Sequence, residues 1–325
     1  MNSQIKVGIV GAAGFTAGEL IRLLVNHPET EIVFAHSDSY AGCQLVEVHN
    51  GLHGETNLCF TDELPLENVD VLFLCLENGQ SAAFLEEHYV PADVRIVDLT
   101  RDFRLAGEDN EYVYGLPELN GLALRGARYV ANPGSFATCV QLGLLPLAAE
   151  GLLEGDIMVN VIAGSMGDGT AAALAAPSSC HIGNVSLYKP FEHPDVPEIV
   201  QSLEKLQPSF DAAFDIIPYR CDFPRGVFVT AVVRCDLPER DVVDLYKNFY
   251  AEAPFTHYVE DAIDLKQVLN TNKCLVHVER HADKLLIAAC IDNLLKGAAG
   301  QAVQNMNLMF DLEETAGLRL KPLAF

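Results

Sequence analysis

No uninterrupted apolar stretch in this chain approaches the roughly 18–20 residues that a membrane-crossing helix needs. The opening residues, Met1-Asn2-Ser3-Gln4-Ile5-Lys6-Val7, lack the basic and apolar regions of a signal peptide, so the expectation is a cytoplasmic protein with no membrane partner. Positive charge is scarce as well. Lys and Arg number 21 against 45 Asp and Glu, a formal net charge of −24, and such a field repels phosphate backbones and anionic membrane surfaces. Nucleic acid is therefore not an expected partner, and an anionic metabolite needs a local cluster of positive groups or helix N-termini to be held. Paired cysteines are missing too. The 9 cysteines include no C-x-x-C pair, which argues against a disulfide framework or a structural zinc site. Cys75, Cys235 and Cys290 lie in apolar runs and read as small buried hydrophobes.

What is present is a chain of 325 residues, 50% hydrophobic and 20% charged. At about 150 residues per domain this is enough for two domains. Residues 5–10 form a short apolar run, followed by a glycine-rich turn and then by apolar positions at helical spacing through residues 19–25. Further strands are expected at 31–35, 69–75, 95–99 and 128–131, with helical spacing between them, which describes a parallel, doubly wound sheet. Beyond residue 150 the pattern changes. Strands expected at 156–162, 214–217, 227–234, 274–279 and 285–290, with few helices between them, describe a mixed or antiparallel sheet. The expected division is a first domain at 1–148 and a second at 149–299. The helical pattern at 293–312 follows Asp292, and the segment 300–325 is expected to return to the first domain.

Glycines at 11, 14 and 18 follow the first strand, where they allow a tight turn and close approach to a pyrophosphate facing the next helix. Their G-x-x-G-x-x-x-G spacing departs from the dinucleotide fingerprint, and tight turns before helices also use glycine for conformational reasons alone. Cofactor-binding candidates here are Gly11, Gly14, Phe15 and Thr16. At the end of the second strand stands His36-Ser37-Asp38-Ser39. Ser37 and Ser39 favour a ribose 2′-phosphate while Asp38 opposes it, so the residues alone leave NADP and NAD both open.

Asn132-Pro133-Gly134-Ser135-Phe136-Ala137-Thr138 precedes an apolar helical run, which puts Ser135 at a helix N-terminus. A nucleophile there gains from the helix dipole and from backbone N–H groups able to hold an oxyanion; a serine there also makes a good N-cap.

Four segments together resemble the N-acetyl-γ-glutamyl-phosphate reductase family of arginine biosynthesis. They are Tyr114-Gly115-Leu116-Pro117-Glu118, the Asn132 to Thr138 segment, Phe223-Pro224-Arg225-Gly226, and Asp292-Asn293-Leu294-Leu295-Lys296-Gly297-Ala298-Ala299-Gly300-Gln301-Ala302. The resemblance runs nearly end to end. It implies an α/β chain in which a doubly wound parallel dinucleotide-binding sheet joins a second, α+β domain of the glyceraldehyde-phosphate and semialdehyde dehydrogenase type. It further implies NADP as cofactor, a small-molecule acyl phosphate as substrate, and association through the second domain into a homodimer or homotetramer. In the family a cysteine thiolate at the position of Ser135 attacks the acyl phosphate, and the thioester takes hydride from NADPH. An alcohol ionises far less readily than a thiol with a pKa of ~8.5, and an ester accepts hydride less readily than a thioester. The expectation is therefore an oxidoreductase with impaired or altered activity, or a diverged non-catalytic homologue that keeps the fold. Cys139 lies about 6 Å further along the helix, at ~1.5 Å per residue, and is expected to pack rather than react.

Other departures cluster with Ser135. Asn78-Gly79 stands where the family has His-Gly, and Ala163-Gly164-Ser165-Met166-Gly167-Asp168-Gly169 replaces a Ser- and Gly-rich loop. His193-Pro194-Asp195 replaces a His-Arg-His segment ahead of Pro197-Glu198-Ile199, and Tyr219 follows Pro218 where the family has histidine. The catalytic candidates are Ser135, His193 and Tyr219, with His181 as a further imidazole able to move protons. The anion anchors expected are Arg101, Arg104, Arg225 and Lys296; each is equally suited to an exposed salt bridge. His49 and His53 are four apart near Cys43 and Glu47, but Gly51 and Gly54 mark a loop, and no metal is expected.

Overall fold

The computed structural model describes residues 4–165 and 183–323. Six short strands build the first sheet: β1 (Ile5–Val10), β2 (Thr30–His36), β3 (Val71–Leu74), β4 (Arg95–Asp98), β5 (Val113–Tyr114) and β6 (Tyr129–Ala131). Their order is β2-β1-β3-β4-β6-β5, and every pairing is parallel. All four residues of β3 are buried, as in a sheet covered on both faces. Four helices follow strands or connect them: α1 (Phe15–Leu24), the short α2 (Leu45–Val48), α3 (Gln80–Glu87) and α4 (Pro117–Leu124). α1 buries Ala17, Leu20, Ile21 and Leu24, a spacing that sets them on one helical face. Because β2 and β3 flank β1 on opposite sides, the strand order reverses at β1, and the loops after β1 and β3 meet at the crevice where such sheets bind ligands.

The second sheet has seven strands in the order β11-β12-β13-β10-β7-β9-β8. It is reached through α5 (Ser135–Ala149) and contains β7 (Ile157–Ala163), β8 (Ser186–Leu187), β9 (Phe214–Arg220), β10 (Val227–Arg234), β11 (Thr256–Tyr258), β12 (Cys274–His281) and β13 (Lys284–Ile291). β7–β9 and β11–β12 pair in parallel and the other neighbours antiparallel, so the sheet is mixed. Two helices that the sequence pattern left unmarked, α6 (Val196–Leu206) and α7 (Glu239–Phe249), belong with it. Along β7 and β10 buried residues alternate with exposed or half-buried ones. The covered face carries α5, whose Gly143 approaches Ile287 and Ala289 of β13.

The chain divides after Pro133 and again after Gly297, and residues Ala298–Arg319 join the first unit. α5 lies in the second unit, whereas the sequence pattern placed it before a boundary at 148. Its nearly all-round burial explains the difference, for the helix packs on β10, β12 and β13. The terminal helix, α8 (Gly300–Met309), is shorter than the 293–312 pattern and packs against α1 and α4. A π-type turn, Leu295–Ala299, precedes it.

Candidate functional site

In the first unit the glycine turn has a defined geometry. Gly11 has φ +77°, and a Cβ there would stand 2.5 Å from the Cys75 carbonyl oxygen, so only glycine fits between the two loops. Gly14 is the N-cap of α1, with no side-chain cap and no acid in the first turn; Phe15 and Thr16 are its first residues, both half-buried. An N-cap glycine brings no side-chain acceptor of its own to the helix start, which suits a pyrophosphate there. The start of α3 is different. The Asp102 carboxylate accepts from the N–H groups of Gly79 (2.6 Å), Ser81 (3.0 Å) and Ala82 (3.2 Å), so that helix is already capped.

Gly18 has another reason to be glycine. Its missing Cβ would fall 2.6 Å from the His49 ring, and His49 Nε2 donates to the Ala12 carbonyl at 2.8 Å. The third glycine thus admits an imidazole that braces the turn. Of the two histidines four apart, His49 has this structural use, and among the described residues no group of three His, Cys, Asp or Glu could hold a metal ion. At the end of β2, Ser37 is buried with its N–H on the Thr61 carbonyl, while Asp38 and Ser39 are exposed. His36 Nε2 lies 3.6 Å from the Asp38 carboxylate.

Arg101 is exposed, and its backbone N–H donates to Asn78 Oδ1. Arg104 is a brace: its Nε donates to the Asn132 carbonyl at 2.9 Å and its Nη2 to the Leu99 carbonyl at 3.1 Å. Beside it the buried Asp98 accepts from the hydroxyls of Ser81 (2.6 Å) and Thr100 (2.8 Å). Burial pushes the Asp98 carboxyl up, opposed by those hydroxyls and by the Arg104 charge.

In the second unit, Ser135 is the first residue of α5, half-buried, with Gly134 as N-cap. A Cβ at Gly297 would come within 2.6 Å of the Ser135 Cβ, so glycine is required where the turn before α8 meets this helix start. The N–H groups expected to be open for an oxyanion are partly occupied. Gly134 N–H donates to Glu198 Oε1 at 2.8 Å and Ala137 N–H to Asp195 Oδ2 at 3.4 Å. Cys139 is fully buried, and burial pushes its thiol far above the ordinary range.

His193 is brought to this place. Its ring stacks on Phe136 at 4.6 Å and 12°, and its Nδ1 accepts from the Asp195 N–H at 3.2 Å, so the neutral ring carries its proton on Nε2. Tyr219 is not brought there. It is out of phase with buried Ile216 and Pro218 on β9 and shares the open sheet face with its register partner Ile162, opposite the face under α5. Its neighbour Arg220, which sequence reasoning missed, places its guanidinium 3.7 Å from the Tyr188 ring centroid, and Tyr188 meets His193 edge-on at 5.9 Å. Strand alternation puts Arg220, not Tyr219, in phase with buried Ile216 and Pro218.

The remaining anchor candidates lie in the second unit. Arg225 Nη2 donates at 3.0 Å to Asp292, a buried carboxylate that also accepts from the N–H groups of Asn270, Leu294 and Leu295. Lys296 is 0% exposed. His181, Cys180 and the Met166 to Gly169 segment with Asp168 lie outside the described residues.

A parallel sheet with a glycine turn at its switch point, followed by a mixed sheet whose first helix presents a polar side chain, defines a two-domain dehydrogenase. Residues 6–127 match the family model described as semialdehyde dehydrogenase, NAD binding domain, and residues 135–293 that of the semialdehyde dehydrogenase dimerisation domain. The chain is similar in structure to aspartate semialdehyde dehydrogenase II of Vibrio cholerae, with a TM-score of 0.74 and 17% identity over 95% of this chain and 98% of that one. It is 58% identical to an N-acetyl-γ-glutamyl-phosphate reductase of Phocaeicola vulgatus over 99% of this chain and 100% of the relative. Identity to the Parabacteroides distasonis reductase is 51%, again over 99% of this chain and 100% of the relative. The chain belongs to the N-acetyl-γ-glutamyl-phosphate reductase family.

Proposed function

We propose that this chain reduces an N-acyl-γ-glutamyl phosphate to the semialdehyde with NADPH, a step of arginine biosynthesis. The observation that carries this reading is the placement of side chain 135 as the first residue of a buried helix, immediately after Asn132-Pro133-Gly134 and against Gly297. Gly11, Gly14, Phe15 and Thr16 would hold the pyrophosphate of NADP, and Ser37 and Ser39 the adenosine ribose, where Asp38 keeps NAD compatible. The bound nicotinamide supplies the hydride. The protein's own residues do the rest. Ser135 faces the acyl carbon, His193 offers a proton from Nε2, and Arg101 and Arg225 hold substrate anions, while Arg104 and Lys296 stiffen the loops that carry them. Tyr219 is assigned no part in the proton transfers, because it stands on the opposite sheet face.

An alcohol at 135 is a weaker nucleophile than a thiolate, and its ester a poorer hydride acceptor. Purified protein mixed with N-acetyl- or N-succinyl-γ-glutamyl phosphate is expected to oxidise NADPH slowly, and Ser135→Cys to raise kcat by at least about tenfold. No turnover by either form, with either substrate, overturns the reductase reading. A second reading, a non-catalytic homologue, is favoured by the two carboxylates already seated at the start of α5; it expects no saturable NADPH binding.

The setting is cytoplasmic, consistent with the absence, among the described residues, of any helix long and apolar enough to cross a membrane. The partner is a second copy of the chain, as a homodimer or a homotetramer built from it. Exposed Met158, Ile162, Leu187 and Val232 support this, because strand register puts all four on the open face of the second sheet.

A further inference from the structure

The start of α5 and the start of α6 share two acidic side chains. Asp195 is the N-cap residue of α6 yet makes no side-chain bond to its own helix; its Oδ2 accepts from Ala137 N–H at 3.4 Å instead. Glu198, in the first turn of α6 and 3% exposed, accepts from Gly134 N–H at 2.8 Å. His193, tied to the Asp195 N–H, stacks on Phe136. Residues 134, 136 and 137 are thus each held by the 193–198 segment, with 135 between them. Gly297 closes the other side. Among the described residues, the titratable groups that these contacts bring beside position 135 are Asp195 and Glu198 from α6 and His193 from the segment before it, and buried Lys296 precedes Gly297 in the chain.

We propose that Asp195 and Glu198 are positioning residues that lock the start of α5 and hold the side chain at 135 in its neutral, hydrogen-bonding form. A carboxylate on the N–H of a helix start uses the positive end of that helix, which would otherwise favour an anion there. A negative side chain at 135 would instead face two negative neighbours, and like charges disfavour ionisation. Serine suits such a place, since its hydroxyl works without ionising. The catalytic consequence rests on the reductase reading, but the charge state at 135 does not.

Ser135→Cys turns position 135 into a reporter. Alkylation of that thiol by iodoacetamide, followed peptide by peptide by mass spectrometry from about pH 6 to about pH 10 in the full chain, gives its titration midpoint. The expected midpoint is above the ordinary thiol value of about 8.5. Asp195→Asn and Glu198→Gln keep an oxygen acceptor for the helix N–H. Each, added to Ser135→Cys, is expected to raise the alkylation rate at pH 7 about tenfold, the effect of moving the midpoint down by one pH unit, while leaving the high-pH plateau unchanged.

A midpoint below about 8.5 in Ser135→Cys alone overturns the proposal, as does an unmoved midpoint in the added variants. A rate raised equally at every pH also overturns it, because that reports access rather than charge. If one of the two variants fails to fold, the other decides. NADPH oxidation is scored separately: an elevated midpoint with no reductase activity in any form supports the positioning role and overturns the reductase reading.

Discussion

At the scale of single residues, the glycine turn shows how differently three similar letters are used. Gly11 is fixed by a positive φ and by the Cys75 carbonyl, Gly14 brings no side-chain cap to its helix, and Gly18 yields space to an imidazole. Asp38 is the residue here whose function can be tested most directly. Its carboxylate is exposed, at the place where a ribose 2′-hydroxyl would be welcomed and a 2′-phosphate repelled, and no Lys or Arg occurs between Arg22 and Arg95 to offset it. Asp38→Asn removes the repulsion and keeps the side chain's shape. It is expected to tighten NADPH binding about fivefold to tenfold, as one exposed charge at close range allows, and to leave NADH binding within about twofold. Calorimetric titration of both nucleotides checks this; equal effects on the two would remove Asp38 from the ribose site. Gly11, Ser135 and His193 could be singled out from the sequence because turns, helix starts and family motifs are local signals. The burial of Lys296 and the partners of Arg104 and Arg225, the Asn132 carbonyl and Asp292, were not legible, since they depend on contacts distant along the chain.

At the scale of elements, α5 contains a proline in a buried helix interior, and the structure shows what permits it. Pro146 has no N–H to give the Leu142 carbonyl, its helical partner four residues back. The Tyr250 hydroxyl donates to that carbonyl instead, and the Tyr246 hydroxyl donates to Gly143 at 2.7 Å. Both tyrosines are buried, and burial pushes the Tyr246 hydroxyl far above its ordinary range, so Tyr246 stays a neutral donor. Tyr250→Phe is expected to cost about 1–3 kcal/mol, the penalty for an orphaned buried carbonyl. In a Pro146→Ala background, where the backbone N–H returns, the same change is expected to cost under about 1 kcal/mol. Urea unfolding of the four proteins of this double-mutant cycle measures the coupling; purely additive costs would show that the hydroxyl does not replace the missing amide. The strands of both sheets were legible as apolar runs, most within one or two residues. β5, β8 and β11 were not, being two or three residues long and identified by pairing rather than by pattern. The helix at α6 was hidden because Pro194 and Pro197 read as loop signals, although Pro197 sits in its first turn, where proline is tolerated.

At the scale of the whole molecule, the charge of −24 and the open sheet face act in opposite directions on self-association. Met158 pairs in register with Val232, and Ile162 with both Phe228 and Tyr219, the latter next to Leu187. These are two apolar groups, separated by the Asn160–Thr230 pair, on a sheet face that α5 does not cover, and exposed apolar surface of that kind marks an interaction site. Two copies meeting there bury apolar surface but bring together two strongly negative chains. Salt screens the second effect far more than the first: the Debye length falls from about 10 Å at 0.1 M to about 3 Å at 1 M. The dimer dissociation constant, measured by sedimentation equilibrium, is therefore expected to fall as sodium chloride rises from about 0.05 M to about 0.5 M. Val232→Lys places an uncompensated charge beside Met158 on this face and is expected to leave a monomer at both salt concentrations, with the circular dichroism of the folded chain retained. A dimer that weakens with salt would mean that ion pairs, rather than this apolar face, hold the copies together. A Val232→Lys protein that still dimerises would place the interface elsewhere on the chain.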